Sequence, residues 1–579
     1  MKLTEALQIL HQAESLQGPP FPVLLACGFT PLHLETFLGA HLQRSLPGRR
    51  VEVISGLYGD LAGTLERQIS KDTQAVAIAL EWPDLDTRLG YRSLGGWGSG
   101  EEAEIAGNVQ AALGRLRHGM ERLSGVARVA VSLPTLPLPP AFHTPGSEAG
   151  KAELEIWAAL LNFAARLAGC RGISVASPQR SLDQSTSERR LDLKSEILTG
   201  HPYSVAHADA VGASLARLLQ PAVPKKGLIT DLDDTLWSGI VGEIGPEAVA
   251  WDLSNHAQLH GLYQQTLAAL AGQGVLLAVA SKNDLDPVEK AFARRDILLD
   301  KDKLFPMEVH WGPKSESVRR ILGAWNIGAD SVVFVDDSPR ELAEVKAAWP
   351  EVDCLLFPKD DPSALLALLR NIRDEFGKSR LTEEDGFRLA SIRAAAAIPH
   401  EDLPGAGQEI FLSQAEAVLT AHFNPPATDS RIIELVNKTN QFNLNGIRQT
   451  EAEWRRNFDS ARSFAVVVSY EDKYGPLGKI AALAGRLEDR TLHIQTWVMS
   501  CRAFSRRIEH GCMDLLFSRF GVDELRLDYA PTAKNGPFRD CFVPFLGTPP
   551  DGPFSVTRVQ FEEHRPNLYS KVETIACMM

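Results

Sequence analysis

Twice along this chain, strand-sized apolar runs recur with helix-periodic stretches between them, and that alternation limits the fold more than any other feature. In the first block, about residues 20–220, the strand candidates are Phe21–Cys27, Val51–Ile54, Ala75–Leu80, Val126–Leu133 and Gly172–Val175. Helical patterns fall among them at Leu32–Leu46, Glu101–Leu123 and Ala152–Ala168. Strands that are apolar on both faces and separated by helices belong in a parallel sheet covered on two sides, so the spacing predicts a Rossmann-like sandwich. Pro221-Ala222-Val223-Pro224-Lys225-Lys226 reads as a link. A second α/β unit starts at Gly227–Thr230, continues with strands at Val275–Ala280 and Ser331–Val335, and runs to about Lys378.

Single cores stop growing near roughly 250–300 residues, and the pattern divides the 579 residues into 1–220, 225–378, a helical connector at 379–411, and 412–579. The connector is read from a capping-box-like start at Thr382 and Asp385 and from the break at Pro404-Gly405-Ala406-Gly407. After it come strand candidates Phe464–Ser469, Lys479–Ala484 and Leu492–Val498, a helix at Ser505–Phe520, and a strand at Glu524–Tyr529. That series predicts an α+β acyltransferase-like domain.

A formal charge of −13 disfavours a general grip on phosphate backbones, so nucleic acid is not an expected partner. The longest apolar runs, Gly274–Ala280 and Val332–Val335, fall far short of the ~20 residues of a membrane helix. The N-terminus reads as an amphipathic helix with acids in it rather than a signal peptide. The expectation is a cytoplasmic enzyme without a membrane partner. Seven cysteines (27, 170, 354, 501, 512, 541, 577) make an odd number with no CxxC spacing, which argues against a disulfide framework and against a zinc site.

Four pieces of the middle unit fit one chemistry. The strand Gly227–Thr230 ends in Asp231-Leu232-Asp233-Asp234-Thr235, where two carboxylates can approach one reacting group as the chain turns. Asp231 is placed to attack phosphorus and form an aspartyl phosphate; Asp233 would donate a proton to the leaving oxygen and later accept one. Ser281, at the tip of the next strand, can hold a phosphoryl oxygen, and Lys314 tempers repulsion between the anionic nucleophile and anionic phosphate. Asp336-Asp337 ends a third strand, and Asp231 with Asp336 could supply the carboxylate oxygens that Mg²⁺ requires. All four lie where open α/β sheets place their sites. The intervals from Thr235 to Ser281 and from Ser281 to Lys314 are too short for a large cap, so the mouth should stay open, as suits a substrate presented by another protein.

In this order the four pieces resemble the haloacid dehalogenase (HAD) superfamily over about residues 226–370. Details narrow the resemblance to its FkbH-like branch: Asp231 to Glu243, Ser281-Lys282-Asn283-Asp284, and Phe334 to Glu341, with Asp192 to His207 before them and Asn437 to Asn443 after. The resemblance implies a multidomain α/β protein. It comprises an SGNH-esterase-like α/β sandwich, a central capless HAD-like Rossmannoid parallel sheet, and a C-terminal α+β domain like the GNAT acyltransferases. Members take 1,3-bisphosphoglycerate, remove phosphate, and deliver a glyceryl group to the phosphopantetheine thiol of an acyl carrier protein in polyketide biosynthesis. The implied site has Asp231, Asp233, Lys314 and Cys501 as catalytic residues, and Thr235, Ser281, Lys282, Asn283 and Asn443 as substrate contacts. Asp231, Asp233 and Asp336 would hold Mg²⁺. An alternative is a plain Mg²⁺-dependent phosphatase with flanking docking domains.

Outside the central unit the signals are thinner. Cys501, beside Arg502 and near the expected helix start, reads either as a thiol of lowered pKa that carries an acyl group or as a buried packing residue. Phe504, Ser505 and Arg506 replace the glycines that family members often show there. Tyr474-Gly475-Pro476-Leu477-Gly478 reads as a hairpin turn, with a channel lining involving Asp472 as the other possibility. The first block has Ala26-Cys27-Gly28 where an esterase needs its serine, so His201 and His207 read as structural and the block as a docking or scaffolding module.

Overall fold

The computed structural model describes the chain except residues 95–96, 98–99, 181–184, 187–188, 397–408, 410–411, 426–428, 457–461, 474, 505 and 577–579. At 394–396, 430, 452, 456 and 502 only the backbone is described. The break expected at Pro404–Gly407 and the turn residue Tyr474 lie outside the described residues. The chain divides into two compact units, 1–222 with 450–452, and 223–449 with 453–579.

The first unit is built on β1 (Phe21–Ala26), β2 (Val51–Ser55), β3 (Ala75–Ala79), β4 (Arg128–Ser132) and β5 (Ile173–Val175). They pair in parallel in the order β2-β1-β3-β4-β5. Every residue of β3 is buried, as expected for a strand covered on both faces. Helices Leu32–Ser45, Glu102–Ser124, Lys151–Gly169 and Val205–Leu219 supply apolar residues to this core. Both histidines here serve structure. His201 Nδ1 donates to the Thr30 carbonyl (2.9 Å), and His207 Nε2 meets Thr135 Oγ1 at 2.8 Å, with burial pushing the His207 pKa down to about 3. Burial likewise pushes the Cys27 thiol up to about 12, so it is no substitute for a nucleophilic serine.

In the second unit β6 (Gly227–Thr230), β7 (Leu276–Ser281), β8 (Leu304–Val309), β9 (Val332–Asp336) and β10 (Asp353–Leu356) form a parallel sheet in the order β10-β9-β6-β7-β8. Neighbouring residues of β6 feed different clusters, Leu228 one face and Ile229 the other. The edge strands β8 and β10 are missing from the sequence reading because each is largely half-exposed and so lacks a continuous apolar run.

The connector is helical at Glu383–Ala396. The Thr382 backbone N–H donates to Asp385 Oδ2 (3.0 Å), while Asp385 Oδ1 meets Lys378 Nζ at 2.6 Å and Arg388 Nη2 at 2.7 Å. Arg388 also donates to the Gly274 carbonyl (2.8 Å). Gly274 has φ +78°, and a Cβ there would stand 2.3 Å from the Asp385 carbonyl oxygen, so the helix can seat only against glycine.

The last sheet is mixed: β11 (Val418–Phe423), β12 (Phe442–Asn443), β13 (Ser463–Asp472), β14 (Gly475–Glu488), β15 (Thr491–Met499), β16 (Glu524–Leu527), β17 (Phe554–Thr557) and β18 (Lys571–Ala576). Its order is β17-β16-β15-β14-β13-β11-β18, with β12 paired to β15. β13 and β14 pair as a hairpin with Asp472 opposite Gly475, so Gly475–Gly478 of the expected turn lie in strand β14. The helix expected from Ser505 starts instead at Ile508, because Arg507 takes φ +58° and a left-handed residue interrupts it. Among the described residues no helix is long and apolar enough to cross a membrane.

Candidate functional site

The carboxyl ends of β6, β7 and β9 bring the four motif pieces together. Asp231 follows β6 directly and keeps its register through an N–H donated to the Val335 carbonyl (3.0 Å). Asp234 then takes φ +50°, which turns the chain after Asp233, and its Oδ1 accepts from the Gly239 N–H (2.8 Å). Both Asp233 oxygens are held: Oδ1 accepts from Trp237 Nε1 (2.8 Å) and the Val241 N–H (3.0 Å), Oδ2 from Asn283 Nδ2 (2.9 Å). Asn283 Nδ2 also donates to Ser281 Oγ (3.1 Å), so one amide positions the acid/base candidate and the phosphate-holding hydroxyl together.

Lys314 opens the helix Lys314–Trp325 and is 3% exposed. Its ammonium lies 3.0 Å from Asp231 Oδ1 and 2.5 Å from Asp336 Oδ2. Burial raises the pKa of Asp231 against the pull of Lys314. Burial, then the charge of Asp231, pushes Asp336 up to about 6. Burial works against charge on Lys314 as well, yet the two aspartates hold its pKa above the usual lysine range.

Carboxylate oxygens of Asp231, Asp336 and Asp337 lie within 4.8 Å of one another. Asp231 Oδ1 is buried with the Lys314 ammonium 3.0 Å away. Clustered hard oxygens of this kind fit Mg²⁺, which prefers carboxylate oxygen and tolerates few protein ligands. Asp231 and Asp336 are two of the expected ligands, and Asp337 joins them. The carboxylate of Asp233, the third expected ligand, is held by Trp237, Val241 and Asn283. Lys359, which the sequence reading missed, lies 3.0 Å from Asp337 Oδ2 and 2.7 Å from Asp234 Oδ2. Nothing local distinguishes it, since it sits 22 residues beyond Asp337.

Other expected site residues are placed differently. Thr235 is fully buried, and its Oγ1 accepts from the Asp337 N–H (3.1 Å), so it ties two loops together. Lys282 is ion-paired with Glu341 at 2.9 Å. Asn443 spends its amide on backbone: Nδ2 donates to the Thr439 carbonyl, and Oδ1 accepts from the Asn445 and Gly446 N–H groups. It caps a turn, away from the phosphotransfer cluster. Cys501 opens a short 3₁₀ turn, Cys501–Ala503, well before the helix at Ile508, so the helix-terminus argument for an activated thiol does not hold. The side chain of Arg502 lies outside the described residues. The Cys501 carbonyl accepts from Asn326 Nδ2 (3.0 Å), and Asn326 caps the far end of the helix that Lys314 begins. Twelve helical residues rise about 18 Å, so Cys501 sits at the opposite end of the sheet from Asp231.

No family model and no curated protein matches the chain. Among solved structures, an uncharacterized protein from Corynebacterium glutamicum aligns with 27% of this chain and 98% of its own at 13% identity, with a TM-score of 0.19 too low to inform the fold. The N-terminal part of the protein BF1531 from Bacteroides fragilis, containing a phosphatase domain complexed with Mg, aligns over 66% of this chain and 100% of its own at 20% identity and a TM-score of 0.50. The likeness is one of fold: this chain shares the α/β architecture of a protein that carries a phosphatase domain.

Proposed function

We propose that the second unit is a Mg²⁺-dependent phosphotransfer enzyme of the HAD type, acting through Asp231. The observation that carries this reading is the buried triangle of Asp231, Lys314 and Asp336 at the carboxyl ends of one parallel sheet. Asp231 attacks phosphorus while the bond to the leaving oxygen breaks, and Asp233, oriented by Trp237 and Asn283, gives that oxygen a proton. Asp233 then takes a proton from the water that hydrolyses the aspartyl phosphate. Lys314 holds the nucleophile in place and offsets the charge of the incoming phosphate. Mg²⁺, held by Asp231, Asp336 and Asp337 and present in the structural neighbour, would neutralise phosphoryl oxygens.

The finer reading is glyceryl transfer from 1,3-bisphosphoglycerate to the phosphopantetheine thiol of an acyl carrier protein in the cytoplasm. It is supported by the FkbH-like motif set and by the short intervals around the site. With it go the domain readings: SGNH-like for 1–220, HAD-like for 225–378, and GNAT-like for 412–579. The test is to incubate the pure chain with 1,3-bisphosphoglycerate, Mg²⁺ and a panel of loaded carriers, following phosphate release and carrier mass. Phosphate release that survives Asp231→Asn overturns the phosphotransfer reading. Phosphate release with no glyceryl gain on any carrier overturns the transfer reading and leaves a plain phosphatase.

A further inference from the structure

Far from the phosphotransfer cluster, three unlike donor groups converge between two helices of the last domain. Glu509 and His510 stand in the first turn of the helix Ile508–Phe520, and Cys541 on the helix Gly536–Leu546. One donor atom from each lies within 4.8 Å of the other two. The Glu509 and His510 side chains are only 16% and 14% exposed. Glu509 Oε2 and His510 Nδ1 are buried without a hydrogen-bond partner among the described residues, although Nδ1 lies 3.3 Å from Glu509 Oε1. Native proteins seldom leave such buried groups unsatisfied without a reason, because each carries the desolvation cost of a polar atom removed from water.

The donor set is oxygen, nitrogen and sulfur, which suits a borderline cation such as Zn²⁺ and not Mg²⁺ or Ca²⁺. Donors about 2.0–2.3 Å from a shared zinc stand roughly 3.3–3.8 Å apart in a tetrahedron, so an inward shift of about 1 Å closes the site. Phe545, one turn beyond Cys541, tilts against the His510 ring with centroids 5.9 Å apart and orients it. Cys512, fully buried and three residues after Glu509, shares that face of its helix.

We propose that Glu509, His510 and Cys541 form a structural binding site for Zn²⁺ or a similar divalent cation, with water completing the coordination. Because the ligands come from two helices about thirty residues apart, no CxxC-type spacing marks the site in sequence. Its effect is to pin the two helices together, independently of phosphate release.

The test uses the full chain, stripped with a chelator and held in saturating Mg²⁺ so that the aspartate cluster is occupied. Adding Co²⁺ should produce a thiolate-to-cobalt charge-transfer absorption saturating at one ion per chain and displaced by Zn²⁺. Cys541→Ser should abolish it, His510→Ala should weaken zinc binding by at least ~10-fold, and Cys354→Ser should change nothing. Stripped wild type and stripped Cys541→Ser should melt alike, with Zn²⁺ raising only the wild type. No charge-transfer band in the wild type, or a full band in both Cys541→Ser and His510→Ala, overturns the proposal.

Discussion

Lys314 shows how one side chain can serve both chemistry and folding. Its ammonium is buried between two aspartates, and removing one partner from such a cluster typically costs about 3–5 kcal/mol. Lys314→Met should therefore destabilise the second unit by that order in chelator at pH 8. The Asp336 pKa is raised, so its protonated form is the one that folding favours; in the variant the deficit should grow as pH rises through about 6 and shrink below it. Thermal melting across pH 5–8, with and without Mg²⁺, checks both directions, and Mg²⁺ should recover part of the loss. Asp231→Asn should lower phosphate release at least about a thousandfold while leaving the melting temperature equal or higher, because it removes a buried charge. In the first unit Glu81 is 1% exposed, and burial pushes its carboxyl up to about 7 against hydrogen bonds from Thr135 and Tyr203. A raised carboxylate contributes stability below its unfolded pKa and loses it as pH climbs to 7. The melting deficit of Glu81→Gln relative to wild type should accordingly be largest near pH 5 and narrow towards pH 8.

At the level of elements, what could be read in advance follows from burial. β3, β6, β7 and β9 are apolar runs because both faces are covered; β3 and β6 lie within the spans expected of them, and β7 and β9 are each shifted by one residue towards the C-terminus. β8 and β10 stand at sheet edges, half-exposed, and carry no such pattern. Asp231, Ser281 and Asp336 were legible because each stands at the tip of a buried strand, and Lys314 from its place in the order of the motifs; Lys359 and the approach of Asp337 to the cluster depend on how loops fold back, which no spacing encodes. The gap between Cys501 and the start of the next helix was not legible for a similar reason, since the positive φ of Arg507 cannot be inferred from residue type. The connector offers a direct test. Asp385 is 4% exposed and joins Lys378, Arg388 and the Thr382 N–H, so Asp385→Ala should cost about 3–5 kcal/mol, visible as a lower denaturant midpoint.

On the scale of the whole molecule, the division at residue 222 predicts that a fragment beginning at Val223 keeps phosphate release within a few-fold of the full chain; a loss of more than tenfold would mean that the first unit contributes to the reaction. The helix Lys314–Trp325 sets a second limit. With Lys314 at its start and the Cys501 loop at its end, it acts as a spacer between the acidic cluster and the one sulfur that sequence reasoning had assigned to catalysis. Nothing made at the first point can slide directly to the second. Any intermediate shared by both must go out into bulk solvent or ride a long swinging arm around the sheet, and on the first route it would be diluted by an excess of unlabelled compound added during turnover.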